Sequence, residues 1–303
     1  MSSADDPDRQ AALEEAVGHP GDRYRDLLGR INDDQIRSFS TVERDFLDLM
    51  WCLDRYRVAG ILPRFMGREK GANGRRLTPE QQLEGVYRSE GNWFATVLTE
   101  ILGQMTTSPL ASRKDVWGFS QPHQIDIAWP ARDEEPLPDA LICCETKLSG
   151  SPAYGSYNAR GAFADWPNRR KELKFQATDL KLYRNAHDTQ IDNWDVWRQS
   201  APPRVYSLWG ARLTAKDKID KMIKEAEILT ATYSDGVGIY AYRESESGDR
   251  YDPAFVAKGV PGRVTSLDSV LSKIAAEIRA IIRDNGNSVP APISSPSHAI
   301  NPE

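Results

Sequence analysis

The first third of the chain shows apolar residues at helical spacing. The apolar positions of segment 46–56 fall on one face of a helix, and Ser40 and Glu43 precede it with the spacing of a capping box. Thr78 followed by Pro79 predicts the start of a second helix, because a cap residue precedes a proline of the first turn. The amino-terminal region is therefore expected to be helical.

The period of the pattern then changes from helix to strand. Segment 91–103 still predicts a helix, with Glu100 next to its apolar face. Segment 123–129 alternates polar and apolar residues like a half-buried strand, and 140–147 is a short apolar run suited to a central strand. Turn-forming residues separate the two, so we expect two strands with a loose connection.

Helices and strands alternate through the second half. We predict, in order, a helix at 168–184, a strand at 204–209, a helix after Thr214 with Asp217 as its cap, a strand at 237–243 and a helix at 266–283. This order predicts an α/β fold with a central mixed β-sheet flanked by helices and a helical N-terminal region.

Composition sets the domain boundaries. Residues 1–20 are acidic and are expected to form a disordered tail, and the Pro/Ser-rich residues 286–303 a second one. The working domain is then 21–285, with a helical part at 21–90 and an α/β catalytic core at 91–285.

Several protein classes are excluded by composition. No apolar run approaches the roughly 20 residues of a membrane span, and the amino terminus lacks an apolar signal core, so we expect a cytoplasmic protein that does not enter membranes. The three cysteines, Cys52, Cys143 and Cys144, lack the spacing of a zinc site, and Cys143 and Cys144, which lie in an apolar run, are interpreted as buried thiols.

The net charge of −5 hides two basic stretches. Residues 64–76 carry five basic residues and one acidic residue, and residues 160–184 carry seven basic and three acidic residues. Either stretch could follow a phosphate backbone, or both could be ordinary solvated surface. The candidate DNA contacts are Arg68, Lys70, Arg75, Arg76, Arg169, Arg170 and Lys171.

An acidic residue two positions before a lysine occurs at three places, and one stands out. Glu145 and Lys147 lie in the predicted strand, where a spacing of two sends both side chains to the same face. Asp126, with eighteen residues between it and Glu145, lies in the preceding predicted strand and could sit beside Glu145 across the sheet. The alternative is an ion pair on a solvated face of the sheet.

These residues resemble the PD-(D/E)XK nuclease superfamily, which includes many restriction endonucleases and repair nucleases. The resemblance covers about 50 residues, 98–148, as a helix with Glu100, a strand with Asp126 and a strand ending in Glu145-Thr-Lys147. It implies a restriction-endonuclease-like fold. Ile125 stands where the family has proline, and the literal Pro138-Asp139 pair is assigned to the turn.

The resemblance also implies the chemistry. Asp126, Glu145 and the carbonyl of Thr146 would hold Mg²⁺, or alternatively Mn²⁺, with Glu100 near a second ion or a metal-bound water. Glu90 is the rival for the helix carboxylate. Lys147 would orient or deprotonate the attacking water, or stabilise the transition state.

The helix after this strand offers further candidates. Gln176 and Tyr183 lie seven positions apart, on one helical face, and are either a packing pair or, as in some members of the superfamily, residues near the site. The aromatic residues Trp194, Trp197, Tyr206 and Trp209 are interpreted as core or interface rather than a stacking platform for bases.

The leading functional hypothesis is an endonuclease of restriction or phage-defence type that cuts double-stranded DNA, and cleavage of palindromic sites would imply a homodimer. The alternatives are a repair or structure-specific nuclease, and a nuclease-like fold that only binds DNA or a protein. The sequence has no Walker phosphate loop, which favours a simple endonuclease over a subunit of an ATP-driven machine.

Overall fold

A computed structural model describes residues 7–131, 140–154, 158–164, 166–183, 202–217, 219–254 and 265–284 of the chain. Its helices are α1 (Pro7–Val17), α2 (Pro20–Asp33), a short 3₁₀ helix (Phe39–Thr41), α3 (Glu43–Ala59), α4 (Pro79–Thr106), α5 (Trp166–Tyr183), α6 (Ile219–Thr232) and α7 (Leu267–Asp284). Its strands are β1 (Ala111–Trp117), β2 (Pro122–Trp129), β3 (Ile142–Ser149), β4 (Arg204–Leu213), β5 (Gly236–Glu244), β6 (Tyr251–Pro253) and β7 (Thr265–Ser266).

The strands form one mixed sheet in the order β1-β2-β3-β4-β5-β6, with the two-residue β7 also paired to β5. The pairs β1–β2, β2–β3 and β5–β6 are antiparallel, whereas β3–β4 and β4–β5 are parallel. Helices pack on the sheet, which confirms the predicted α/β class. The two central parallel strands are the most apolar ones, as burial on both faces requires.

Along β3, β4 and β5, successive residues enter the cores on opposite sides of the sheet. Cys144, Tyr206 and Tyr240 belong to the larger core, to which α2, α3, α4 and α7 contribute. Cys143 and Val205 pack with α5 on the other side, where β4, β5 and α6 form a further cluster. The sheet therefore separates the N-terminal helices from α5 and α6. Cys143 and Cys144 are buried free thiols, as predicted, and so is Cys52.

Helix α4 begins at the predicted place but runs further than predicted. Thr78 Oγ1 accepts a hydrogen bond from the backbone N–H of Gln81 (3.3 Å), and the Gln81 side chain accepts one from the N–H of Thr78 (3.0 Å). The helix continues through Gly91 to Thr106 instead of restarting there. A glycine in a helix costs only about 1 kcal/mol relative to alanine, which the buried apolar face of this helix outweighs.

Two predicted helix caps are wrong. Val42 is the N-cap of α3 and makes no side-chain cap bond, while Ser40 lies in the 3₁₀ helix, where its N–H donates to Asp268 (3.1 Å). A distant carboxylate thus replaces the local capping box. Asp217 accepts from the N–H of Thr214 (2.8 Å), before the helix, rather than from the first turn of α6.

The acidic segment 1–20 contains structure that the sequence did not predict. Residues Pro7–Val17 form α1, where a disordered tail was expected. Leu13 and Val17 pack against Cys52 and Tyr56 of α3, so two apolar residues in an acidic segment are enough to dock one helix. Residues 286–303 lie outside the described residues. Within the described ranges, no helix combines the length and hydropathy needed to cross a bilayer.

Candidate active site

Strand β3 places Glu145 and Lys147 on the same side of the sheet, as the period of two predicts. Both side chains line a cavity of about 380 Å³, and the Lys147 ammonium lies 3.2 Å from Glu145 Oε2. Strand β4 runs parallel to β3 and sets Ser207 beside Glu145 and Trp209 beside Lys147. These four positions form the floor of the cavity.

Glu145 is a buried carboxylate held by two side chains. Its Oε1 accepts a hydrogen bond of 2.7 Å from Gln176 Nε2 of α5, and its Oε2 accepts one from Lys147. Burial raises the pKa of Glu145 to about 7; the charge of Lys147 and the Gln176 bond lower it, whereas the nearby negative charge of Asp126 raises it. The burial of Glu145 therefore opposes its ionisation more strongly than Lys147 and Gln176 favour it.

Asp126 reaches β3 from the neighbouring strand. Its Oδ2 accepts hydrogen bonds from the backbone N–H of Thr146 (2.8 Å) and from Thr146 Oγ1 (3.0 Å). The antiparallel register ends at the pair of Ile127 and Cys144, and Asp126 and Glu145 are the residues that adjoin this pair on the two strands. The half-buried Asp126 does not line the cavity itself, but its charge acts on Glu145. The structure thus brings Asp126, Glu145 and Lys147 together.

Glu90 of α4, rather than Glu100, faces the cavity. Glu90 pairs with Arg57 at 3.6 Å, and burial raises the pKa of Glu90 to about 8, with Asp54 adding to the rise and Arg57 opposing it. Glu100 is absent from the cavity lining and acts electrostatically on Tyr24 of α2. The ten-residue offset turns Glu100 toward the N-terminal helices, so Glu90, the rival candidate, is the one of the two carboxylates that faces the cavity.

Two carboxylates, not three, meet at the candidate metal site. In the described ranges, no group of three or more His, Cys, Asp and Glu side chains is placed to hold an ion together. Mg²⁺ retains several waters and is commonly held by only one or two carboxylates, so Asp126 and Glu145 fit it, and a cation between them would offset their repulsion. Glu100 does not join this pair, and neither Asp126 nor Glu145 is among the charges that act on Glu90.

The other walls of the cavity were not predicted. The Arg57 guanidinium lies 4.9 Å from the ring of Tyr87 and 4.6 Å from that of Tyr154, and Trp166 stacks on Trp209 with ring centroids 4.4 Å apart. All five residues line the cavity. The only signal in the sequence was the spacing of Tyr87 and Glu90, three positions apart on one helical face, because the rest converge through the tertiary fold.

The candidate DNA contacts differ in their surroundings. Arg68, Lys70, Arg75 and Arg76 are exposed on a turn closed by the bridge between Lys70 and Arg76, and none of them has an ion-pair partner among the described residues. On α5, Lys171 is exposed, but Arg169 pairs with Glu172 (2.9 Å) and Arg170 with Glu225 (3.2 Å). Arg169 also lines the cavity.

The remaining candidates divide between site and core. Gln176 contacts Glu145 and so belongs to the site, while Tyr206 is fully buried in the core. Trp209 packs in a core cluster and also lines the cavity. The side chain of Tyr183 and all of Trp194, Trp197 and Pro138-Asp139 lie outside the described residues.

Comparisons of the chain with protein-family models, with curated proteins and with solved structures gave no match. The side chains that line the cavity, and their contacts, are therefore the basis for a proposed function.

Proposed function

We propose that the chain is a metal-dependent endonuclease of restriction or defence type, with a restriction-endonuclease-like fold, which hydrolyses phosphodiester bonds of double-stranded DNA. One observation carries the proposal: Glu145 and Lys147 open side by side into a cavity, with Asp126 hydrogen-bonded to the intervening Thr146. A carboxylate pair beside an ammonium group suits the hydrolysis of an anionic ester.

The roles of the side chains follow from their contacts. Asp126 and Glu145, with the carbonyl of Thr146, would hold Mg²⁺ or Mn²⁺, which when bound acidifies water and offsets phosphate charge. Lys147 approaches within 3.2 Å of Glu145, so its ammonium can orient the attacking water or stabilise the charge that develops on the phosphate. Gln176 and Thr146 are positioning residues, because they act through the two carboxylates.

Supercoiled plasmid DNA incubated with the protein and Mg²⁺ tests the proposal. We expect nicked or linear products, no cleavage in EDTA, and a loss of at least a hundredfold in rate for Asp126→Ala and for Lys147→Ala. Glu246→Gln, in the exposed turn after β5, is the control and should cut like the unaltered chain. Discrete fragments would indicate sequence-specific cutting, with a homodimer expected for palindromic sites.

The outcomes separate the alternatives. Cleavage restricted to branched or gapped substrates would favour a repair or structure-specific nuclease. Intact plasmid together with DNA binding that survives in Asp126→Ala would favour a non-catalytic binding module and would contradict the proposal.

A further inference from the structure

Buried polar atoms without hydrogen-bond partners occur on four of the residues that line the cavity beside Glu145 and Lys147. They are Arg57 Nε, Tyr87 Oη, Glu90 Oε1 and Trp166 Nε1, and none has a hydrogen-bond partner in the part of the chain that the structure describes. Tyr87 and Trp166 are each only 6% exposed. Buried polar groups in folded proteins are almost always hydrogen-bonded, so these four atoms around one cavity are groups that a bound ligand could satisfy.

The chemistry of these atoms restricts the ligand. Trp166 Nε1 and Arg57 Nε can only donate, and Tyr87 Oη can do either. Glu90 Oε1 is purely an acceptor in the carboxylate, which predominates above the Glu90 pKa of about 8. A matching ligand carries carbonyl or ring-nitrogen acceptors together with an amine donor. The edges of cytosine, adenine and guanine have this combination through an exocyclic amine, whereas the only donor of thymine is its ring N3–H, which lies between two carbonyl groups.

The shape and charge of the cavity agree with a base joined to a phosphate. Its volume of about 380 Å³ lies in the range of roughly 300–1,000 Å³ typical of small-ligand pockets. Its walls carry the aromatic rings of Tyr87, Tyr154 and Trp166, and because Arg57 covers one face of the first two and Trp209 one face of the third, a base could stack only on the opposite faces. The lining holds five basic residues and three acidic ones, and each acidic one is paired with a basic one, so its formal charge is positive; the pairs are Arg57–Glu90, Arg88–Glu84 and Lys147–Glu145, and the other basic residues are Arg160 and Arg169.

We propose that this cavity binds one unpaired nucleobase carrying an exocyclic amine, with Glu90 accepting from the amine and Trp166 donating to the base, next to the phosphodiester that Glu145 and Lys147 face. The inference rests on the proposed nuclease function, because that function identifies the bound polymer as DNA. It gives Glu90 a role other than metal binding. The charged groups that act on Glu90 are Asp54, Arg57 and Arg212, and neither of the candidate metal ligands Asp126 and Glu145 is among them. A base can reach such a pocket by leaving an intact duplex or from a site that is already unpaired.

Binding of fluorescein-labelled duplexes in EDTA at pH 9, where Glu90 is ionised, tests the pocket without cleavage. The duplexes carry a bulged dC, a bulged dT or a bulged abasic residue at the same place, and fluorescence anisotropy gives each Kd. We expect the bulged dC to bind about tenfold or more tightly than the bulged abasic residue, as for a hydrogen bond to a charged group, and the bulged dT to bind more weakly than the bulged dC.

Variants identify the side chains. Glu90→Gln should reduce the preference for dC over dT to less than threefold, and Trp166→Phe should weaken both bulged bases while leaving the abasic duplex unchanged. The matched controls are Glu246→Gln and Trp117→Phe, both exposed and outside the cavity, which should leave all three affinities unchanged. Thermal unfolding of each variant shows whether it is folded under the conditions of the assay.

Equal affinity of the unaltered chain for the three bulges would overturn the inference, as would a dC preference that survives in Glu90→Gln. A fully paired duplex distinguishes the two sources of the base: a loss of its affinity in Glu90→Gln indicates extrusion, and a loss confined to the bulged dC indicates a site already unpaired. Plasmid cleavage with no base preference would refute the pocket alone. Base preference in a chain that never cuts would refute only the nuclease.

Discussion

Glu145 ionises in a place that favours its neutral form, because burial and the neighbouring Asp126 both penalise its negative charge. Its pKa rises from the usual 4.5 to about 7, so the folded chain holds a proton that the unfolded chain has already lost between these pH values. The free energy of unfolding therefore falls as pH rises through this window.

We predict that Glu145→Gln stabilises the metal-free protein at pH 8 but changes little at pH 4, where the carboxyl group is protonated in both states. A pKa rise from 4.5 to about 7 corresponds to at most about 3 kcal/mol, and the lost pairing with Lys147 reduces the gain. Urea unfolding in EDTA at the two pH values measures it. Equal destabilisation at both pH values would contradict the proposed cost of ionisation.

Thr146 offers a second test at the scale of one residue, because its hydroxyl and its N–H both hold Asp126 Oδ2. We predict that Thr146→Val lowers the rate of plasmid cleavage about tenfold, since one of the two bonds that orient the carboxylate is lost. Thr146→Ser keeps the hydroxyl and should retain most of the rate. A Val variant as fast as the Ser variant would show that this hydroxyl does not position Asp126.

The sequence identified those site residues whose positions follow from local backbone geometry. The period of a strand placed Glu145 and Lys147 on one face, and that holds in the structure. Arg57 and Trp166 were missed, since they reach the cavity from the last turn of α3 and the start of α5. No spacing in a single sequence joins residues so far apart.

Among the elements, the turn at 68–76 and helix α5 present basic residues in different ways. The four basic residues of the turn have no ion-pair partner among the described residues, whereas Arg170 of α5 is engaged by Glu225. A basic residue already paired with a carboxylate must break that pair before it can contact a phosphate. The turn is therefore the stronger candidate for contacting a DNA backbone.

We predict that replacing Arg75 and Arg76 together by alanine weakens binding to a duplex uniformly across sequences and lowers the slope of log K against log salt by about two. Arg170→Ala should change the slope by less than half a unit. Fluorescence anisotropy titrations at several salt concentrations in EDTA provide both slopes. A larger change for Arg170 than for the double variant would assign backbone contact to α5 instead.

The boundaries of helices were predicted correctly where signals in neighbouring residues agree. They were predicted wrongly where contacts between distant residues determine them. The capping box of Thr78 and Gln81 is local, and α4 begins there as expected. The 3₁₀ helix before α3 contacts Asp268, more than two hundred positions away, which accepts from the N–H groups of Phe39 and Ser40. The burial of α4 under the sheet likewise carries it through Gly91, where the sequence suggested a break.

For the whole molecule, the partition at residue 90 does not match the packing. Helix α4 spans that position, and one core joins residues of α2 and α3 to the sheet. Phe46 of α3 lies within ring-contact distance of Phe94 and of Tyr240, at 5.6 Å and 6.2 Å between centroids. Residues 21–90 and residues 91–285 are thus expected to unfold together.

We predict that Phe46→Ala lowers the free energy of unfolding by about 3–5 kcal/mol and leaves a single cooperative transition, because the cavity it creates lies where both parts meet. Chemical unfolding should give the same midpoint by far-UV circular dichroism and by tryptophan fluorescence. The exposed Val58→Ala, on the same helix, serves as the control and should change stability by less than about 1 kcal/mol. Two separated transitions in Phe46→Ala would mean that residues 21–90 form a unit of their own, and the cavity walls contributed by Arg57 and Tyr87 would then belong to a different domain from Glu145.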